Sequence, residues 1–376
     1  MRYPNLALIL FLLLPLPAFP QADSARQAAA LQRQGKWAEA AEAWRGITER
    51  NPRDAGAFAS LGFALSRQEK YEEAASAYKQ ALALNPKLPG LQLNLGLAQF
   101  KLGRFQEAIP HFRAALASGP GGVQARTLLG LSCYGAQNFT DAVKYLQPVA
   151  RADPGNAELH QVLAQSCLRA KKYNCALAEF RQILQQNPNS AAAHVLTGEA
   201  LDGLGRTGEA IAEFQKAARV SPREPDVNFG LGYLHWELHQ YDEARASFEA
   251  ELAINPNHPQ ALAYLGDIEF KQNHPEKALP LLNQAIEAGS GPRVAYIDLG
   301  AILTDEKQYP EALERLRRAE ELDPSEPDAH YRLARVFKMM GNTKAAAAEF
   351  ARVQQLHEKK DALPSKMPSA APSLQP

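Results

Sequence analysis

The sequence predicts an all-α chain, a solenoid of ten helix-turn-helix repeats, and three observations predict it. Prolines fall at 52, 86, 120, 154, 188, 222, 256 and 324, each step being 34 residues except the last, which is two steps with Ser290 in the vacant slot. Twelve residues before each slot stands an alanine in all ten copies, as at Ala40, Ala74, Ala108 and Ala346. Twelve further back the residue is always glycine or alanine, as at Ala28, Gly62, Gly96 and Gly232. The register therefore covers 21–360 in units 21–54, 55–88, 89–122, 123–156, 157–190, 191–224, 225–258, 259–292, 293–326 and 327–360.

Each unit predicts two helices. In the second, Phe58, Leu61, Gly62 and Leu65 have helical spacing, as do Ala74, Tyr78, Ala81 and Leu82, so two apolar stripes face one another. A polar turn near Glu69 separates them, and Asn85-Pro86 ends the second helix, because proline has no amide hydrogen and clashes with the preceding turn. Small residues at Gly62 and Ala74 let the two backbones approach, and the large side chain of Tyr78 fills the space beside them. A bulkier residue at either small position should overpack the crossing by about 1–3 kcal/mol.

The residues Leu61, Gly62, Leu65, Tyr71, Ala74, Tyr78, Ala81 and Pro86 resemble the tetratricopeptide repeat, whose hairpin carries Trp-x2-Leu-Gly-x2-Tyr, then Ala-x3-Phe, then Pro. The first aromatic of that pattern is replaced by His160, His194 and His330 in three units, and unit one starts weakly at Ser24 and Gln27. The resemblance implies a right-handed superhelical solenoid with a concave groove that binds a segment of another protein. The lysine and asparagine clamp that some family members use on acidic chain ends is not matched, since its slots carry Ala25, Ala29 and Ser60.

Stacked hairpins bury their apolar faces only against their neighbours, so the length of 376 residues is compatible with one array. The 41 basic residues balance 41 acidic ones, which removes the global basic field that nucleic-acid binding needs. Met1 and Arg2 precede the apolar run Leu6 to Leu14, followed by Pro15-Leu16-Pro17-Ala18. That order reads as a secretory signal over 1–20, cleaved after Ala18 or Ala22, and predicts a periplasmic or extracellular protein. The run is shorter than the roughly 20 residues that span a bilayer, so no stable membrane span is expected. After 360 the composition turns to proline, serine and alanine, and 361–376 is expected to be a disordered tail.

An oxidising compartment permits disulfides. Cys133 and Cys167 take equivalent core slots on first helices, and Cys175 opens the second helix of unit five across the turn from Cys167. A Cys167–Cys175 bridge and three small buried thiols are the two alternatives. Glycines at 119, 121, 122, 289 and 291 predict bends at two junctions, and Pro148 a kink inside a second helix. Pro110 and Pro280 lie about a turn into their helices, whereas Pro310 sits near a helix start, where its missing donor does no harm.

No catalytic constellation emerges, and neither a cofactor nor a metal is expected. His235 and His239 stand four apart in HWELH, but the glutamate is misplaced for the zinc-protease motif; the register assigns one to a core slot and the other to the turn. Binding is expected instead on the face beside the core slots. There Phe63, Leu93, Leu97, Phe100, Leu131 and Tyr134 lie upstream, and Phe229, Tyr233, Trp236, Ala263, Asp267 and Phe270 form a denser patch downstream. Glu199, Asp202, Asp226 and Asp298 adjoin that patch, which favours a ligand with apolar and basic groups. The leading expectation is a protein-binding scaffold; the alternative is a polysaccharide or cell-wall module whose aromatic faces stack on sugar rings.

Overall fold

The computed structural model describes residues 20–118, 122–224, 226–289 and 291–361. These form twenty α-helices and no strand, two helices to each 34-residue unit. They divide into two compact units, one ending at Gln186 and the other beginning at Asn187. The first contains α1 (Pro20–Arg33), α2 (Trp37–Arg50), α3 (Ala55–Ser66), α4 (Tyr71–Leu84), α5 (Leu91–Lys101), α6 (Phe105–Ala117), α7 (Gly122–Gly135), α8 (Phe139–Ala152), α9 (Ala157–Arg169) and α10 (Tyr173–Gln186). The second contains α11 (Ala191–Asp202), α12 (Thr207–Val220), α13 (Val227–Glu237), α14 (Tyr241–Ile254), α15 (Pro259–Lys271), α16 (Pro275–Glu287), α17 (Arg293–Asp305), α18 (Tyr309–Leu322), α19 (Pro327–Met339) and α20 (Thr343–Asp361).

Within each unit a helix packs on its hairpin partner and on the first helix of the next repeat. The crossing is tight for the reason the sequence suggests. A Cβ added at Gly62 would lie 2.7 Å from the ring of Tyr78, one at Gly232 2.6 Å from Phe248, and one at Gly300 2.5 Å from Leu316. Those large residues are sealed, with Tyr78 1 % exposed and Phe248 and Leu316 0 %. In the last repeat Phe350 occupies the same slot at 40 % exposure, because among the described residues no further first helix covers it.

One feature of the hairpins is backbone rather than side chain. The residue fifteen places into every repeat has a left-handed φ between 57° and 77°: Gly35, Glu69, Gly103, Gln137, Lys171, Gly205, His239, Asn273, Lys307 and Gly341. The next amide bonds back to the carbonyl five residues earlier, as Lys70 does to Leu65 and Gln308 to Leu303, which closes the first helix in a Schellman turn. A side chain at left-handed φ costs about 1–2 kcal/mol, part of which glycine returns as chain entropy. Lys307→Gly is therefore expected to stabilise the protein by about 0.5–1 kcal/mol, and Gly205→Ala to destabilise it similarly; urea unfolding followed by helical circular dichroism would measure both, and a loss for Lys307→Gly would contradict the account.

Helices α6, α8 and α16 run through Pro110, Pro148 and Pro280 without a break, and Pro310 sits in the first turn of α18. Residues 119–121 of the first glycine-rich junction lie outside the described residues, while α6 and α7 on either side of it pack together. The division between the two units falls at Gln186 and Asn187, just after α10 and within the last residues of repeat five. Cys167 and Cys175 face each other across the turn of repeat five with Cα atoms 5.7 Å apart and are joined as a disulfide, a separation a bridge requires. Cys133 is a buried free thiol whose pKa burial pushes up to about 11. No described helix is long and apolar enough to cross a membrane; the apolar run before residue 20 and the tail after 361 lie outside the described residues.

Candidate functional site

The second unit carries a cavity of about 420 Å³ where α11, α13 and the start of α15 come together. Glu199 and Asp202 reach it from the last turns of α11, Asp226 precedes α13, and Phe229 and Tyr233 project from α13 itself. The start of α13 is held by an unusual cap. Asp226 has a left-handed φ of 64° and makes no side-chain cap bond. Glu251 of α14, 1 % exposed, supplies the cap instead by accepting the amide hydrogens of Asp226 and Phe229 at 3.4 and 3.2 Å.

His258 completes the arrangement. Its Nδ1 accepts the amide hydrogen of Ala261 at 3.1 Å and so caps α15, which leaves Nε2 as the proton-bearing nitrogen that donates to Asp226 Oδ1 at 3.0 Å. Its ring stacks on Phe229 with centroids 5.0 Å apart. Asp226, Glu251 and His258 place potential ligand atoms within 4.8 Å of one another. Both histidine nitrogens and the Glu251 carboxylate are already engaged in hydrogen bonds, so the trio's evident role is to fix the first turns of α13 and α15. The HWELH histidines go separate ways: Nδ1 of His235 meets Gln240 at 2.8 Å and that of His239 meets Tyr241 at 3.1 Å. His235 is half-buried rather than sealed in the core.

Beyond the cavity the aromatic residues join into one cluster. Tyr233 stacks on Trp236 at 6.0 Å, and Tyr264 meets the two edge-on at 5.5 and 4.9 Å. Trp236 Nε1 donates to Asp267 Oδ2 at 2.5 Å, and Lys271 Nζ reaches the same oxygen at 2.8 Å while lying 4.3 Å above the indole. Asp267 is thus 3 % exposed, with Oδ2 bonded from within by two side chains. The Tyr233 hydroxyl donates to Glu237 at 2.7 Å.

The field along this face is negative. Burial and then the nearby Glu237 carboxylate push the Asp202 carboxyl up. Burial, followed by the charges of Asp267 and Glu237, raises the Tyr264 phenol to about 12, and Tyr233 is raised by burial and its bond to Glu237. Further along, Asp298 is 2 % exposed with Oδ2 unpartnered. Burial and the adjacent Asp267 raise its carboxyl well above the ordinary range, against a weaker pull from Arg332 at 3.9 Å.

Of the residues the sequence points to, Phe229, Tyr233, Trp236 and Asp267 come together here, while Phe270 packs half-buried in the core between α15 and α17. In the first unit Phe63 is 42 % exposed and stands edge-on to Trp37, Leu97 and Phe100 pack on the core around α6 and α7, Leu131 is half-buried, and Tyr134 donates to Gln165 at 2.5 Å. Sequence reasoning missed Tyr264, Glu237, Lys271, Glu251 and His258. A signal existed: side chains on this face meet at a step of 31 residues, as in Tyr134 with Gln165 and Trp236 with Asp267, and the same step pairs Tyr233 with Tyr264.

Family profiles described as tetratricopeptide repeat match residues 93–157 and 229–292, 133–199 and 168–228, and 328–359, and one described as TPR repeat matches 64–103 and 300–341. No curated protein matches the sequence. Among solved structures, Cut9 with Hcn1 from the APC/C hetero-tetramer is similar over 90 % of this chain and 85 % of that one, with 14 % identity and a TM-score of 0.53. The C-terminal part of a TPR repeat-containing protein from Cytophaga hutchinsonii aligns over 63 % and 97 % of the two chains at 20 % identity and a TM-score of 0.45. YrrB, described as a TPR protein with an unusual peptide-binding site, aligns over 48 % and 97 % at 23 % identity and a TM-score of 0.38. The repeat profiles together reach across 64–292 and 300–359, and the chain belongs to the tetratricopeptide repeat family.

Proposed function

We propose that the protein is a non-catalytic scaffold of the cell envelope or secreted space that holds a segment of another protein against the face formed by α11, α13 and α15. The observation that carries this reading is the aromatic cluster of Phe229, Tyr233, Trp236 and Tyr264 beside a cavity on the same face. Aromatic anchors in partly desolvated pockets dominate binding energy, and a surface fixed before binding lowers the ordering cost. Beside that cavity, His258 and Glu251 are engaged in capping helices. The amino-terminal signal pattern supports export, and the Cys167–Cys175 bridge suits an oxidising compartment.

Stacking on sugar rings is the weaker reading, because the indole of Trp236 is occupied by Lys271, Tyr233 and Tyr264. Tyr233 is the better anchor to test: it is half-buried, lines the cavity and caps no helix. Crosslinked capture from the native envelope should lose its partner with Tyr233→Ala by about 2 kcal/mol, roughly 30-fold in affinity. Undiminished capture by a folded Tyr233→Ala protein would remove this face from the function. Export has its own check, since mature protein recovered outside the cytoplasm should begin at Phe19 or Asp23; an intact Met1 on cytoplasmic protein would refute it.

A further inference from the structure

The repeats allow one position to be compared along the chain. The thirteenth residue of a unit is basic at Arg33, Arg67, Lys101, Arg169 and Lys271. In two of these the cation sits over an aromatic ring: Arg67 lies 5.0 Å above Trp37, and Lys271 lies 4.3 Å above Trp236 while bonding Asp267. At Lys271 the chain thus places its own basic side chain against an aromatic face and a carboxylate. In repeat seven the same position is Glu237, whose carboxylate accepts from Tyr233 at the cavity wall. Where repeat eight supplies a cation, repeat seven adds another negative charge.

The adjoining cavity has the matching composition. Glu199, Asp202 and Asp226 line it together with the rings of Phe229, Tyr233 and His258, and no lysine or arginine does. The volume of about 420 Å³ accommodates one long side chain with part of its backbone. Resting on the partner-segment reading above, we propose that this cavity receives a single arginine side chain of the partner, its guanidinium among Glu199, Asp202 and Asp226 and its flat face against Phe229 and Tyr233. A guanidinium presents five donors in one plane and stacks on aromatic faces, so it bridges two carboxylates and a ring wall at once; an ammonium does this less well. Its charge would also oppose the burial and the Glu237 repulsion that together raise the Asp202 carboxyl.

The test is peptide display on the full chain, followed by fluorescence polarisation of the recovered peptides. Recovered peptides should carry an arginine flanked by apolar residues and lose binding with Tyr233→Ala. Replacing that arginine by neutral citrulline should weaken binding by about tenfold or more, as should Asp202→Asn. Glu237→Lys, which gives repeat seven the internal cation repeat eight already has, should weaken arginine peptides as strongly while leaving the thermal midpoint near that of the native chain. Peptides that need Tyr233 but are indifferent to citrulline, Asp202→Asn and Glu237→Lys would overturn the arginine assignment and leave the docking face standing. Recovery of no peptide that needs Tyr233 would overturn both.

Discussion

Phe248→Ala is expected to destabilise the second unit by about 3–5 kcal/mol, the usual cost of deleting a sealed phenylalanine. The ring is 0 % exposed and stacks on Tyr264 at 5.8 Å and near Phe229 at 5.9 Å. It also fills the space left by Gly232, where a Cβ would stand 2.6 Å from it. Removing it opens a void between α13, α14 and α15 that three helix backbones must collapse to close. Phe248→Leu should cost under about 1.5 kcal/mol, because Leu146, Leu282 and Leu316 fill the same slot at 0 % exposure in other repeats. Gly232→Val should cost about 1–3 kcal/mol from the opposite side of the contact. Urea unfolding followed by helical circular dichroism gives all three, and a loss under 1 kcal/mol for the alanine variant would show that the crossing is not filled as described.

That contact was legible because it is written in residue size at fixed spacing: glycine or alanine, then alanine, then a large side chain. The left-handed turn residue was not, although it recurs in every repeat. Six of its ten occupants are Glu69, Gln137, Lys171, His239, Asn273 and Lys307, which share polarity with many surface positions but neither charge nor size; the requirement lies in the backbone. The proposed docking face could be named from the sequence only as one side of the first helices, the side the register fixes. How much of each side chain is free was not legible, because that depends on a neighbour 31 residues on, and so Asp267 turns out buried under Trp236 and Lys271. The boundary at Gln186 and Asn187 had no sequence mark either, since Asn187-Pro188 matches the other repeat junctions.

Arg245→Met is expected to cost about 3 kcal/mol at pH 7, because it strips the main partner from a buried carboxylate. Glu269 on α15 is 5 % exposed. The Arg245 guanidinium of α14 bonds its Oε1 and also reaches Gln272 at 2.7 Å, while His274 Nδ1 lies 3.2 Å from Oε2. Burial alone would raise this carboxyl, but the bond and charge of Arg245, then the bond from His274, hold it below its ordinary value. A depressed native value means that the pair's stabilisation is present above the unfolded carboxyl's titration near pH 4.3 and disappears as pH falls through the native value. In Arg245→Met burial is no longer countered, so the carboxyl should move up and take a proton at milder acidity. The deficit relative to the native chain should therefore be largest at pH 7 and shrink toward pH 4.5, where the variant's neutral acid is less costly to bury. Adding Glu269→Gln to the methionine variant should recover part of the loss at pH 7 and flatten the difference between the two pH values. Thermal midpoints of the native chain and both variants at the two pH values decide it: a deficit that grows on acidification, or a double variant less stable than Arg245→Met at pH 7, would mean that the carboxylate is not the group the arginine serves.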